Sequence, residues 1–201
     1  IMINAIIFDF GDIFINLDKP ATISGLQKLG MTEWNNELDQ LNFSFETGHI
    51  SPEDFIGGFQ KQLPNASKEE ILKAWNAVLA DFPLYRLEFL KELSQKYRLF
   101  LLSNTDSIHI NTFETKNGTA FYEDFYRCFE KVYFSFDMGL RKPDPKIYQF
   151  LLDKHNLIPE NTLFVDDKKE NTDSAAALGI KVWNLQVGKE DVIDLYNKNI
   201  I

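Results

Sequence analysis

The chain has 201 residues, 44% of them hydrophobic and 25% charged, with 30 acidic against 21 basic side chains for a net charge of −9. Such a composition belongs to a soluble globular protein with room for one well-buried core, or a core plus a small insert. The acidic balance argues against a nucleic-acid partner, which needs clustered Lys and Arg, and weighs against anionic membrane surfaces.

The apolar run Ala5-Ile6-Ile7-Phe8 predicts a first strand over about residues 4–10, closed by Asp9. A carboxylate at the carboxyl end of a buried strand stands where open α/β sheets place their chemistry. The Ile1-Met2-Ile3-Asn4 start has no basic n-region and no window is long and apolar enough to cross a bilayer. No signal peptide or membrane span is therefore expected, and the cytoplasm is the default compartment. Cys128 stands alone, which rules out an intramolecular disulfide and predicts a packed thiol.

Helical signals come next. Ile23, Leu26 and Leu29 share one helix face, and Gly30 supplies a stop. Ser51-Pro52-Glu53-Asp54 reads as an N-cap, a proline at the first helical position and an acidic first turn, with Phe55, Ile56, Phe59 and Leu63 carrying the apolar face to Pro64. Ser67 and Glu70 have capping-box spacing, ahead of Ile71, Trp75, Val78, Leu79 and Phe82. No strand is legible over residues 15–84, so this stretch is expected to be a helical cap packed as a small bundle. Trp34, Glu46 and His49 are its candidates for meeting a substrate.

From Leu84 the pattern alternates. Leu87, Leu90 and Leu93 mark a helix, Arg98 to Leu102 a strand ending at Ser103, and Lys131 to Ser135 another strand. Asp144-Pro145 caps a helix carrying Ile147, Phe150 and Leu151. The run Thr162 to Val165 forms a strand that ends in Asp166 and Asp167. A helix through Ala175, Ala176 and Leu178 stops at Gly179, and Ile180 to Trp183 is a last strand. Strands separated by helices imply parallel pairing with right-handed crossovers. The expected fold is α/β: a Rossmann-like, doubly wound parallel sheet over residues 1–14 and 85–201, with the cap inserted after the first strand. Residues 111–130 show no clean period and read as a loop with a short helix.

Two strands that each deliver acid to one sheet edge suit Mg²⁺, which prefers oxygen ligands. A lysine near Asp9 would lower the carboxylate's pKa and neutralise substrate charge, and Pro143 stiffens the loop that carries Lys142. Ser103 and Asn104 end a strand where a hydroxyl and backbone N–H groups hold anions.

The order of these motifs resembles the haloacid dehalogenase superfamily, whose members are mostly Mg²⁺-dependent phosphatases with an aspartate nucleophile. The resemblance implies that Asp9 attacks phosphorus and that Ser103, Asn104 and Lys142 hold the phosphoryl group. It places the metal on Asp9, the Gly11 carbonyl, Asp166 and Asp167, with Asp167 favoured as the direct ligand and Asn171 in support. Gly11 departs from the pattern, because most family phosphatases carry there a second aspartate that protonates the leaving group. Asp12 comes one residue too late and points elsewhere unless glycine re-aims it. Asp9-Phe10-Gly11, Met138 to Pro143 and Phe164 to Asp167 together look like a bacterial subgroup that includes an α-D-glucose-1-phosphate phosphatase. The expected substrate is thus a small phosphorylated metabolite of the sugar-phosphate type, met by a monomer or homodimer. Two alternatives stay open: a binding or regulatory protein whose catalysis lapsed at Gly11, and a 2-haloacid dehalogenase-type hydrolase, which would need no metal.

Overall fold

A computed structural model describes residues 2–201. Five strands, β1 (Ala5–Phe8), β2 (Arg98–Ser103), β3 (Lys131–Phe134), β4 (Thr162–Asp166) and β5 (Lys181–Asn184), pair in the order β3-β2-β1-β4-β5. Every pairing is parallel. The order reverses beside β1, and a crevice opens there at the carboxyl ends of the strands. Ala5 is level with both Arg98 and Thr162. That register brings Asp9, Ser103 and Asp166 to the same edge.

Alternation along the strands buries both faces, as a parallel sheet requires. Ile6, Phe8, Leu99, Leu101, Leu163 and Val165 face one layer with α5 (Leu84–Leu93), α6 (Ser107–Asn117) and α7 (Thr119–Arg127). Ile7, Phe100, Leu102 and Phe164 face the other, with α9 (Pro145–His155) and α10 (Lys169–Ala177). A short helix, α8 (Ser135–Met138), follows β3 directly, so Ser135 opens a helix where a strand residue is expected.

Between β1 and α5 lie α1 (Lys19–Lys28), α2 (Asn36–Glu46), α3 (Pro52–Gln62) and α4 (Lys68–Asn76). They share an apolar core that includes Leu26, Leu38, Phe45, Phe55, Phe59, Ile71 and Trp75. The caps match their sequence signals: the Ser51 side chain accepts from the Asp54 N–H, and Ser67 with Glu70 forms a reciprocal capping box. Helix α1 begins before its apolar positions because Asp18 accepts from the Ala21 N–H and Pro20 sits in the first turn. Val78, Leu79 and Phe82 lie beyond α4. A turn follows the helix there, and Leu79 bridges to Leu17.

Residues 107–127 correct the expectation of a loop with a short helix. Two full helices stand there, α6 and α7, joined at Gly118 with φ +83°. Phe113 and Phe125 from this pair, and Phe129 just after it, bury themselves against Phe10 and Phe14. Cys128 is buried as expected, and burial pushes its thiol up to about 11.

Candidate functional site

Asp9 follows β1, and its N–H donates to the Val165 carbonyl at 2.9 Å, continuing the sheet for one more residue. Lys142 enters from the loop before α9, and its side chain is only 1% exposed. Its Nζ donates to Asp9 Oδ1 at 2.8 Å, to Asp166 Oδ2 at 2.7 Å and to the Leu102 carbonyl at 2.8 Å. Three oxygens thus match the three ammonium protons. Burial alone would pull this lysine's pKa down, but Asp166 and Asp9 more than offset that and hold it above the ordinary value.

Asp9 differs from the expectation of a lowered pKa. Burial and the neighbouring Asp166 push its carboxyl up to about 7, although Lys142 opposes them. Two carboxylates share one cation here, so the repulsion between them survives.

Asp166 is fully buried and has no idle oxygen. Oδ2 also accepts from Asn171 Nδ2, while Oδ1 accepts from Asn171 Nδ2 and from the Lys168 N–H at 2.8 Å. Asp167 is less deeply buried, its side chain 10% exposed, and Lys19 Nζ lies 3.5 Å from its Oδ2. Burial and Asp166 raise its pKa. Oxygen atoms of Asp9, Asp166 and Asp167 lie within 4.8 Å of one another. An all-carboxylate set at that spacing fits a hard divalent cation.

Asn104 uses its side chain to lock Lys142: Nδ2 donates to the Lys142 carbonyl and Oδ1 accepts from the Lys142 N–H, both at 2.8 Å. Its amide is therefore spent on the loop rather than on a ligand. Ser103, Asn104, Lys142, Asp167 and Asn171 line one pocket with Asp9 and Gly11. A Cβ at Gly11 would meet the tip of Leu17, with Cδ1 at 2.6 Å, so any side chain there has to move that leucine. Asp12 has φ 59° and turns to the Leu17 N–H and to Lys19, outside the pocket lining.

Sequence reasoning missed several lining residues, and four of them stand out for their chemistry. Lys19 reaches in from α1, Trp75 from α4, His109 from α6, and Lys168 follows the acidic pair. None belongs to a motif, and Lys19, Trp75 and His109 reach the pocket only because the helices pack over the sheet edge. Of the cap candidates, Glu46 lines the pocket and pairs with Arg141 at 2.9 Å. Burial raises its pKa while Arg141 opposes the shift. His49 is exposed and spends Nδ1 on the Thr47 hydroxyl.

A parallel sheet that gathers carboxylates and one buried lysine at its switch point has the site where α/β enzymes carry their chemistry. Residues 6–185 match the haloacid dehalogenase-like hydrolase family, and the chain belongs to it. It is 27% identical over 199 residues to the D-ribitol-5-phosphate phosphatase of Bacteroides thetaiotaomicron, covering 94% of this chain and 95% of that one. It is 29% identical to a sesquiterpene phosphatase of Aspergillus oryzae, covering 88% and 86%. A haloacid dehalogenase family enzyme from Bacteroides thetaiotaomicron, crystallised with magnesium and inorganic phosphate, superposes with TM-score 0.83 at 33% identity and covers 94% of this chain and 96% of that one. No helix among the described residues is long and apolar enough to cross a membrane.

Proposed function

We propose that this protein is a Mg²⁺-dependent phosphomonoesterase for small phosphorylated metabolites, working through an aspartyl-phosphate on Asp9. The observation that carries the reading is Lys142 held between Asp9 and Asp166 beside an all-oxygen cluster. Asp9 and Asp167, with the Gly11 carbonyl, would hold the cation, with Asp166 adding its charge from behind. Bound there, it offsets the repulsion between the nucleophile and a dianionic phosphate. Asp166 stands one layer back and fixes Lys142, while Asn171 fixes Asp166.

Lys142 grips Asp9 Oδ1 and leaves Oδ2 to attack phosphorus in line with the ester oxygen. Ser103 and the backbone N–H groups beyond β2 receive the phosphoryl oxygens, and Asn104 acts by pinning the Lys142 loop. As the Asp9 Oδ2–P bond forms, the P–O ester bond breaks and the leaving oxygen takes its proton from water; a second water then attacks the acyl phosphate, releasing inorganic phosphate and free Asp9. The residues over the sheet edge, roughly 15–84, form the cap that closes the pocket. Sugar phosphates are the first class to test, on the motif resemblance and on the ribitol phosphatase relative.

Phosphate release from sugar phosphates and from acetyl phosphate, with Mg²⁺ and with EDTA, tests this reading. Turnover should require Mg²⁺ and fall by at least about 10³-fold in Asp9→Asn, which keeps the shape and loses the nucleophile. Turnover that survives either change would sink the aspartyl-phosphate mechanism. Binding of Mg²⁺ and phosphate without any turnover would instead favour the regulatory alternative.

A further inference from the structure

We infer that the alcohol released at this site carries an apolar portion, which seats in a cleft between α1, α4 and α6. The inference rests on the phosphatase reading, but not on the sugar class. The cleft has a volume of about 360 Å³ and adjoins the catalytic pocket, since Lys19, Trp75, Val78 and His109 line both. Ile23, Thr22 and Trp34 complete its wall.

What decides the ligand class is the hydrogen-bonding state of that wall. The Trp75 indole N–H donates to Asp106 Oδ2 at 3.2 Å, and the Trp34 indole N–H donates to Asp39. His109 faces Asp106 through Nδ1 at 2.9 Å and the Trp75 carbonyl through Nε2 at 3.0 Å. The Thr22 hydroxyl is held by the carbonyls of Ala74 and Trp75. Each polar atom named is committed inside the protein, and the Lys19 ammonium points to Asp12 and Asp167 at the catalytic end.

The exposed remainder is hydrocarbon and ring surface. Trp75 and His109 stack with ring centres 4.9 Å apart and planes 7° apart, and Ile23 and Val78 flank them. An open-chain polyol entering here would lose water from several hydroxyls and find no partners, a costly exchange. A ring or branched hydrocarbon would lose nothing polar and would cover apolar surface. The phosphate end stays on Lys142 and Ser103, so the cleft sorts alcohols and not phosphates.

Benzyl phosphate and ribitol 5-phosphate test this, because both release a primary alcohol and differ mainly in the group attached to the carbinol carbon. Acetyl phosphate, too short to fill the cleft, reports the phosphoryl chemistry alone. The kcat/KM for benzyl phosphate should exceed that for ribitol 5-phosphate by at least about tenfold. Ile23→Asn, on the exposed side of α1, should lower the benzyl-to-acetyl ratio by about tenfold. Val78→Asn should lower it in the same direction from the opposite wall. Equal or faster turnover of ribitol 5-phosphate, or an unchanged ratio in both variants, would overturn the inference while leaving the phosphatase intact. Failure on all three substrates, acetyl phosphate included, would overturn the phosphatase reading and the inference with it.

Discussion

Gly11 shows how much one missing side chain reshapes a site. Leu17 Cδ1 occupies the place where a Cβ at residue 11 would stand, 2.6 Å from it, and the glycine's φ is not in the left-handed region. A side chain there has only the flexible tip of Leu17 to move aside, and the backbone itself tolerates one. On the phosphatase reading, Gly11→Asp alone should fall short of its full effect, because the carboxylate has to push the Leu17 tip aside. Combined with Leu17→Ala, it should raise kcat on alkyl phosphates by about 10²-fold or more, the usual value of general acid–base assistance. Acetyl phosphate, whose leaving group needs no proton, should gain little; equal gains on both would show that the aspartate acts otherwise. His109 carries a different residue-scale consequence. Burial disfavours its charge, but Asp106 and the Trp75 carbonyl outweigh burial and raise its pKa. A raised folded-state pKa contributes stability that is full below the unfolded value and lost as pH rises through the folded one. The destabilisation caused by His109→Asn, measured by urea unfolding, should therefore be larger at pH 6 than at pH 9.

At the scale of elements, caps and strand ends are the most legible features. Ser67 and Glu70 satisfy two backbone donors of α4 reciprocally, and Ser67→Ala should cost about 1 kcal/mol in a urea titration. The same helix holds Trp75 against His109, so this cap also steadies one wall of the pocket. Asp9, Ser103 and the acidic pair are readable because apolar runs end abruptly in polar residues, and register brings those ends together. Helix α2 is hard to read: Leu38 and Phe45 carry its buried face, with polar residues filling most of the turns between. Helices α6 and α7 are obscured by Thr, Asn and Gly, whose weak helix propensity is overridden by Phe113 and Phe125 packing under β1. Lys19 and Trp75 are not legible as pocket residues at all. Their place depends on how α1 and α4 rest on α6, which no local pattern encodes.

For the whole molecule, the pocket exists only while the helical insert stays seated on the sheet. Several contacts hold it: Trp75 on Asp106, Glu46 on Arg141, Lys19 on Asp167, and the turn after α2 against α8. The Glu46–Arg141 and Lys19–Asp167 pairs are partly exposed and orient more than they bind, whereas the Trp75–Asp106 bond is buried and costly to lose. The turn is different. Gly48 has φ +71°, and a Cβ there would stand 2.1 Å from the Phe136 carbonyl oxygen. Backbone cannot swing aside as a leucine tip can. Gly48→Ala must therefore push the turn away from α8, adding left-handed strain to the clash. The expected loss is about 1–3 kcal/mol by urea unfolding. The pocket wall contributed by Glu46 moves with that turn, so KM should rise more than kcat falls. Gly57→Ala is the matched control, since it adds the same methyl within α3 and meets nothing within 4 Å. It should gain about 0.5–1 kcal/mol from helix propensity and leave KM alone. If Gly48→Ala behaved like Gly57→Ala, the contact at α8 would have no part in seating the insert, and closure would fall to the polar pairs alone.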